Sequence, residues 1–77
     1  MSKVLIIDDE VHIAEGIKLN LELSGHEVHI KENGLLGVKE WKKWNPDIII
    51  LDLMMPVMDG YMTLDKIREE DKKIPIL

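Results

Sequence analysis

The chain has 77 residues, with 15 acidic against 10 basic side chains and a formal net charge of −5. That balance argues against nucleic-acid binding by this segment. A hydrophobic content of 45% excludes a disordered tail, zero cysteines exclude a thiolate metal site, and no apolar run nears the ~20 residues of a membrane span.

Residues Lys3–Asp8 are predicted as a first strand, in which Val4-Leu5-Ile6-Ile7 runs straight into Asp8, Asp9 and Glu10. This first apolar run is short and ends in acids, so it is no secretory signal, and a cytoplasmic protein is expected. Glu10–Ser24 reads as a helix: Ile13, Ile17 and Leu21 make a stripe joined by Ala14, and Gly25 follows as a stop. Leu19 and Leu23 fall on the far side of it. Glu27–Lys31 alternates, with Val28 and Ile30 on one face, as a short polar edge strand does. Asn33-Gly34 is read as a turn.

Leu35–Trp44 is predicted as a second helix with Gly37, Val38, Trp41 and Trp44 on one side, stopped by Pro46. Asp47–Leu51 is a third strand, apolar enough to be buried on both faces. Asp59 is a candidate cap for a third helix that runs to about Glu70 and buries Leu64 and Ile67. Ile74–Leu77 opens a fourth strand. His12, His26 and His29, and the lysines Lys42, Lys43, Lys72 and Lys73, are expected at the surface. The methionines around Asp52 read as filling. Alternating strands and helices with short links imply a parallel α/β sheet in one domain or less.

Two strands therefore deliver acids to one sheet edge: Asp8 and Asp9 after the first, Asp52 after the third. In open parallel sheets that edge is where ligands bind. Two carboxylates at about 4 Å repel by on the order of 4 kcal/mol at an effective dielectric near 20. A proton or a cation relieves such a cluster. Magnesium suits it, because it takes one or two carboxylates, keeps waters and shares its shell with phosphate. An aspartate beside that metal can attack phosphorus and form an aspartyl-phosphate.

The motifs Val4-Leu5-Ile6-Ile7-Asp8-Asp9-Glu10, Glu32-Asn33-Gly34 and Pro46 through Gly60 resemble, in order and spacing, the receiver domain of two-component response regulators. The resemblance runs end to end. It implies a flavodoxin-like doubly wound sheet, here incomplete, with strand order 2-1-3-4 of 2-1-3-4-5, so that residues 1–77 form the front part of a receiver. It implies that Asp52 is the phosphoacceptor. Asp9, Asp52 and the backbone carbonyl of Met54 would be direct Mg2+ ligands, with Asp8 a water-mediated or second ligand. Pro56 and Asp59-Gly60 would shape the loop that holds Asp52. The hydroxyl and the lysine that the family places at the ends of strands four and five lie past Leu77, so transfer by this segment alone is expected to be poor.

The partner implied is a sensor histidine kinase or phosphotransfer protein, met through helix one at Ile13, Gly16 and Asn20, with Leu19 a weaker candidate. The domain implied is a regulatory phosphoacceptor and not an enzyme. A haloacid-dehalogenase-like phosphatase would need Asp-x-Asp, but Asp52 is followed by Leu53 and Met54. The other alternative is a self-associating structural half-domain or an engineered fragment without signalling activity. The open fourth strand also predicts a homo-oligomer, most simply a dimer.

Overall fold

The computed structural model describes residues 2–53 and 59–77. The elements are β1 (Lys3–Ile7), α1 (Val11–Leu23), β2 (Glu27–Lys31), α2 (Gly34–Trp44), β3 (Ile48–Leu51) and α3 (Gly60–Glu70). The strands form a parallel sheet in the order β2-β1-β3. β1 lies in the middle, and its Val4, Leu5, Ile6 and Ile7 are all buried. A continuous apolar strand is what a position covered on both faces requires.

Alternation along the strands sorts two cores. Leu5, Ile7, Ile49 and Leu51 pack with Val38 and Trp41 of α2, Ile67 of α3 and Ile74. Val4, Ile6 and Val28 pack on the other face with Ala14 of α1, joined by Ile17, Leu21, Ile30, Ile48 and Ile50. The stripe of α1 is therefore Ala14, Ile17 and Leu21. Ile13, expected in that stripe, is 59% exposed. The i, i+3, i+7 set faces the sheet, and the residue one place earlier is turned outward.

Element ends follow local chemistry. Strand β1 stops at Ile7, one residue short of the expected Asp8, and α1 starts at Val11 rather than Glu10. Helix α1 closes as expected at Gly25, whose φ is 91°. Gly25 N donates to Glu22 O at 3.0 Å and His26 N to Leu21 O at 3.1 Å, the paired bonds of a Schellman motif. Asn33 is a helix cap rather than a plain turn: its Oδ1 accepts from Leu36 N at 2.9 Å, and α2 begins at Gly34. Asn45 ends α2 at φ 57° ahead of Pro46, and β3 begins at Ile48, one residue after the expected Asp47.

The fourth strand is shorter than expected. Ile76 makes an isolated parallel bridge to Ile49. Ile49 N donates to Pro75 O at 3.0 Å, Leu77 N to Ile49 O at 2.9 Å and Leu51 N to Leu77 O at 2.9 Å. The segment lies beside β3, on the side the order 2-1-3-4 requires, but pairs over too few residues to form a ladder.

Two histidines are not the solvated side chains expected. Val28 and Ile30 point toward α1, so His29 points toward α2. There its Nδ1 lies 2.6 Å from Glu40 Oε2 and its ring stacks on Trp44 at 3.6 Å. His26 is half-buried, and its Nδ1 accepts from Ser2 N at 3.2 Å. Among the described residues, no helix is long and apolar enough to cross a membrane.

Candidate metal centre

The parallel register aligns Ile7 with Leu51, so the residues that follow both strands leave the sheet at one edge. Asp52 N donates to Ile7 O at 2.9 Å, extending the pairing one residue past the strand end. Asp8 N likewise donates to Lys31 O at 3.0 Å. Asp8, Asp9 and Asp52 each offer one carboxylate oxygen, and these oxygens all lie within 4.8 Å of one another. Asp8 and Asp52 are half-buried and Asp9 is exposed.

The electrostatics carry the marks of crowding. Partial burial pushes the Asp8 carboxyl above its usual range. The Glu10 amide, which donates to Asp8 Oδ1 at 2.9 Å, works against that rise. The Asp52 charge, a hydrogen bond with Asp52 and the Asp9 charge all add to it. A proton held between Asp8 and Asp52 is one way to relieve the repulsion, and a hard divalent cation is the other. The donor set is all oxygen and is partly open to solvent. It fits Mg2+ and does not suit a soft metal.

A family model described as the response regulator receiver domain matches residues 4–77. The chain belongs to that family. The DNA-binding dual master transcriptional regulator RpaA of Synechocystis is 35% identical over 79 residues, covering 100% of this receiver chain and 33% of that protein. The response regulator TrrA of Thermotoga maritima, solved in complex with Mg2+ and BeF, superimposes with a TM-score of 0.92 at 36% identity, covering 99% of this receiver chain and 66% of that one. TrrA solved in complex with the histidine kinase ThkA gives a TM-score of 0.90. The receiver described here thus spans about a third of the curated relative and about two thirds of the solved receivers it matches.

Of the residues singled out from sequence, the structure brings Asp8, Asp9 and Asp52 together. Met54 and Pro56 lie outside the described residues. Ile13, Gly16, Leu19 and Asn20 are all exposed on α1 and are not among the three acids that converge. Asn20 Nδ2 donates to Gly16 O at 3.2 Å. Ile13, Gly16 and Asn20 share one helical face, and Leu19 lies about a third of a turn from Ile13.

Asp59 caps α3 as expected, its Oδ1 accepting from Met62 N at 2.9 Å. The close approach of Gly60 to the backbone of Asp52 and Leu53 is not legible in the sequence. Its signal there is the Asp59-Gly60 pair, which the resemblance reads as shaping the loop that holds Asp52. The fully buried Thr63 beneath it carries no signal of its own.

Proposed function

We propose that this receiver is a phosphoacceptor switch in which Asp52 takes a phosphoryl group from a kinase phosphohistidine. The observation that carries the reading is the convergence of Asp8, Asp9 and Asp52 within 4.8 Å at the end of the sheet. In the transfer, an Asp52 carboxylate oxygen bonds to phosphorus as the bond from phosphorus to the donor imidazole nitrogen breaks. The electron pair of that bond returns to the imidazole ring. Asp8 and Asp9, with Asp52, would hold Mg2+, which supplies positive charge to the phosphoryl oxygens when bound. Partial burial of Asp8 and Asp52 thins the water around the nucleophile, which strengthens each of these interactions.

The role is regulatory rather than enzymatic, because no second acid follows Asp52 at residue 54 to act as a general acid. The exposed face of α1 carrying Ile13, Gly16 and Asn20, with Leu19 beside it, is the proposed kinase contact. TrrA, which this chain resembles over 99% of its length, was crystallised in complex with the histidine kinase ThkA. A cytoplasmic setting follows from that partnership, and the net charge of −5 speaks against nucleic acid as this segment's own ligand.

Transfer to these 77 residues alone should be slow, since the family hydroxyl and lysine are not among them. Each missing charge-assisted contact is worth roughly 1.5–3 kcal/mol. Acetyl phosphate or a phosphorylated kinase, with intact-mass detection, tests the reading. A phosphoryl adduct that needs Mg2+ and is lost in Asp52→Asn is expected. An adduct that survives in Asp52→Asn would sink it.

One observation favours a second reading, a self-associating structural half-domain. Apolar side chains line open clefts of about 350 Å³ (Leu51, Leu53, Leu64, Ile76, Leu77) and 250 Å³ (Val4, Leu21, Ile48, Ile50, Leu77) on the two sides of β3.

A further inference from the structure

Helix α3 starts against the main chain that carries Asp52. Gly60 N donates to Leu53 O at 3.2 Å. A Cβ on Gly60 would fall on Leu53 Cα and on the Asp52 carbonyl oxygen, and would lie 2.8 Å from the Leu53 carbonyl carbon. Those are backbone atoms, so no change of rotamer can make room. Gly25 is the glycine with positive φ among the described residues, so what Gly60 needs is space and not an unusual backbone angle.

Neither side of this contact yields easily. The helix start is fixed by Asp59, whose Oδ1 accepts from Met62 N at 2.9 Å. The Asp59 carbonyl also accepts from Thr63 N at 3.0 Å and from Thr63 Oγ1 at 2.9 Å. Thr63 and Ile67, on the same helix, are fully buried. On the strand side, Asp52 N is tied to Ile7 O at 2.9 Å. A side chain at residue 60 would have to push the Asp52–Leu53 backbone away from α3. The Asp52 carboxylate would then leave the 4.8 Å reach it shares with Asp8 and Asp9.

We infer that Gly60 is a positioning residue for the acid cluster: its missing side chain sets the distance between α3 and the Asp52–Leu53 backbone, and through it the place of the Asp52 carboxylate. The inference rests on the reading of that cluster as a magnesium and phosphoryl site. Gly37 supplies a matched contrast. A Cβ there would come 2.5, 2.7 and 3.0 Å from Cδ1, Cγ1 and Cγ2 of Ile7. That approach is also too close for a real Cβ, though less so, and it meets a side chain in the apolar core rather than the backbone that carries an acid.

The experiment titrates the 77-residue chain with Mg2+ alone, following amide shifts by NMR, beside urea unfolding of each variant. Gly60→Ala should weaken Mg2+ binding by about tenfold or more, the usual cost of disturbing a group that orients a ligand. Gly37→Ala should lower the urea midpoint and weaken Mg2+ binding less than Gly60→Ala does, because it meets the Ile7 side chain, which can change rotamer, and leaves the backbone bond from Asp52 N to Ile7 O in place. A folded Gly60→Ala chain that binds Mg2+ as the unsubstituted chain does overturns the inference.

If Gly60→Ala fails to fold, Asp59→Ala and Asp59→Asn replace it. Both remove the charge, but only alanine removes the oxygen that holds the start of α3. Weaker Mg2+ binding by Asp59→Ala than by Asp59→Asn supports the inference, and equal binding overturns it. An unsubstituted chain that ignores Mg2+ overturns the functional reading and the inference together. Normal binding there with an unaffected Gly60→Ala overturns the inference alone.

Discussion

Glu40 shows how a charge can sit in this small core. It is buried on α2, with His29 Nδ1 at 2.6 Å and Lys43 Nζ at 3.7 Å from its carboxylate. The hydrogen bond from His29 holds its pKa below the ordinary 4.5, against the opposing effect of burial and with help from Lys31 and Lys43. A carboxylate depressed in the folded state adds stability above its unfolded pKa. That stability fades as pH falls through the lower, folded value. Glu40→Gln should therefore be less stable at neutral pH, by about 1–3 kcal/mol, and should lose less on acidification below about pH 4.5. Urea unfolding across that window checks it, and an unchanged acid limb would contradict it.

Asp8 has the opposite sign, because its pKa is raised in the folded chain. Its contribution is favourable below its unfolded pKa and is lost as pH rises through the folded one. Without Mg2+, Asp8→Asn should stabilise the chain at neutral pH by roughly 0.5–1 kcal/mol, since its exposure screens the charge. The amide oxygen can still accept from Glu10 N. The same variant should bind Mg2+ more weakly, and a variant both less stable and equally tight would reject the argument. The acids were legible because a motif fixes them in sequence. The contact between His29 and Glu40 was not, because it joins a strand to a helix and depends on which side of the strand faces α2.

At the scale of the elements, the hydrophobic period and the stop signals carried most of the reading. The burial of Val28 in β2, and of Gly37, Val38 and Trp41 in α2, follows their predicted faces. Ile13 did not, because a four-residue and a three-residue step describe the same helix until the sheet selects one. The opening of the fourth strand was legible in its apolar residues, and Pro75 and Leu77 do bond to the main chain of β3, although the bridge is confined to Ile76.

Gly25 was read correctly for a reason that can be tested. Its φ of 91° completes the bonds that close α1. No atom lies within 4 Å of an added Cβ, so a substitution there meets only the backbone penalty. Gly25→Ala should cost on the order of 1 kcal/mol. A thermal or urea midpoint that does not move would mean that the helix end re-forms without the left-handed residue.

The whole molecule is covered unevenly. β1 is closed on both faces, and β2 is an edge strand that bears Glu27, His29 and Lys31, side chains that discourage pairing with another sheet. The β3 side has no such protection among the described residues. Leu77 is 73% exposed and lines both apolar clefts that flank β3. Ile48, Ile50 and Ile76 beside it are only half-buried. Apolar surface of this kind is worth about 25 cal/mol per Å² when removed from water, and a chain this short has little burial to spare. The 77 residues by themselves should therefore self-associate at micromolar concentration through the β3 side, most simply as a symmetric dimer. Leu77→Glu tests this with little damage to the fold, because Leu77 is held by main-chain bonds to Ile49 and Leu51 that its side chain does not make. Sedimentation velocity should show the unsubstituted chain shifting to a larger species with concentration and Leu77→Glu remaining a monomer, with stability changed by no more than about 0.5 kcal/mol. A chain that stays monomeric without the substitution would show that the clefts are too small to drive association. A variant that associates as strongly would move the contact to another face, of which the exposed Ile13 and Leu19 on α1 are the first to test.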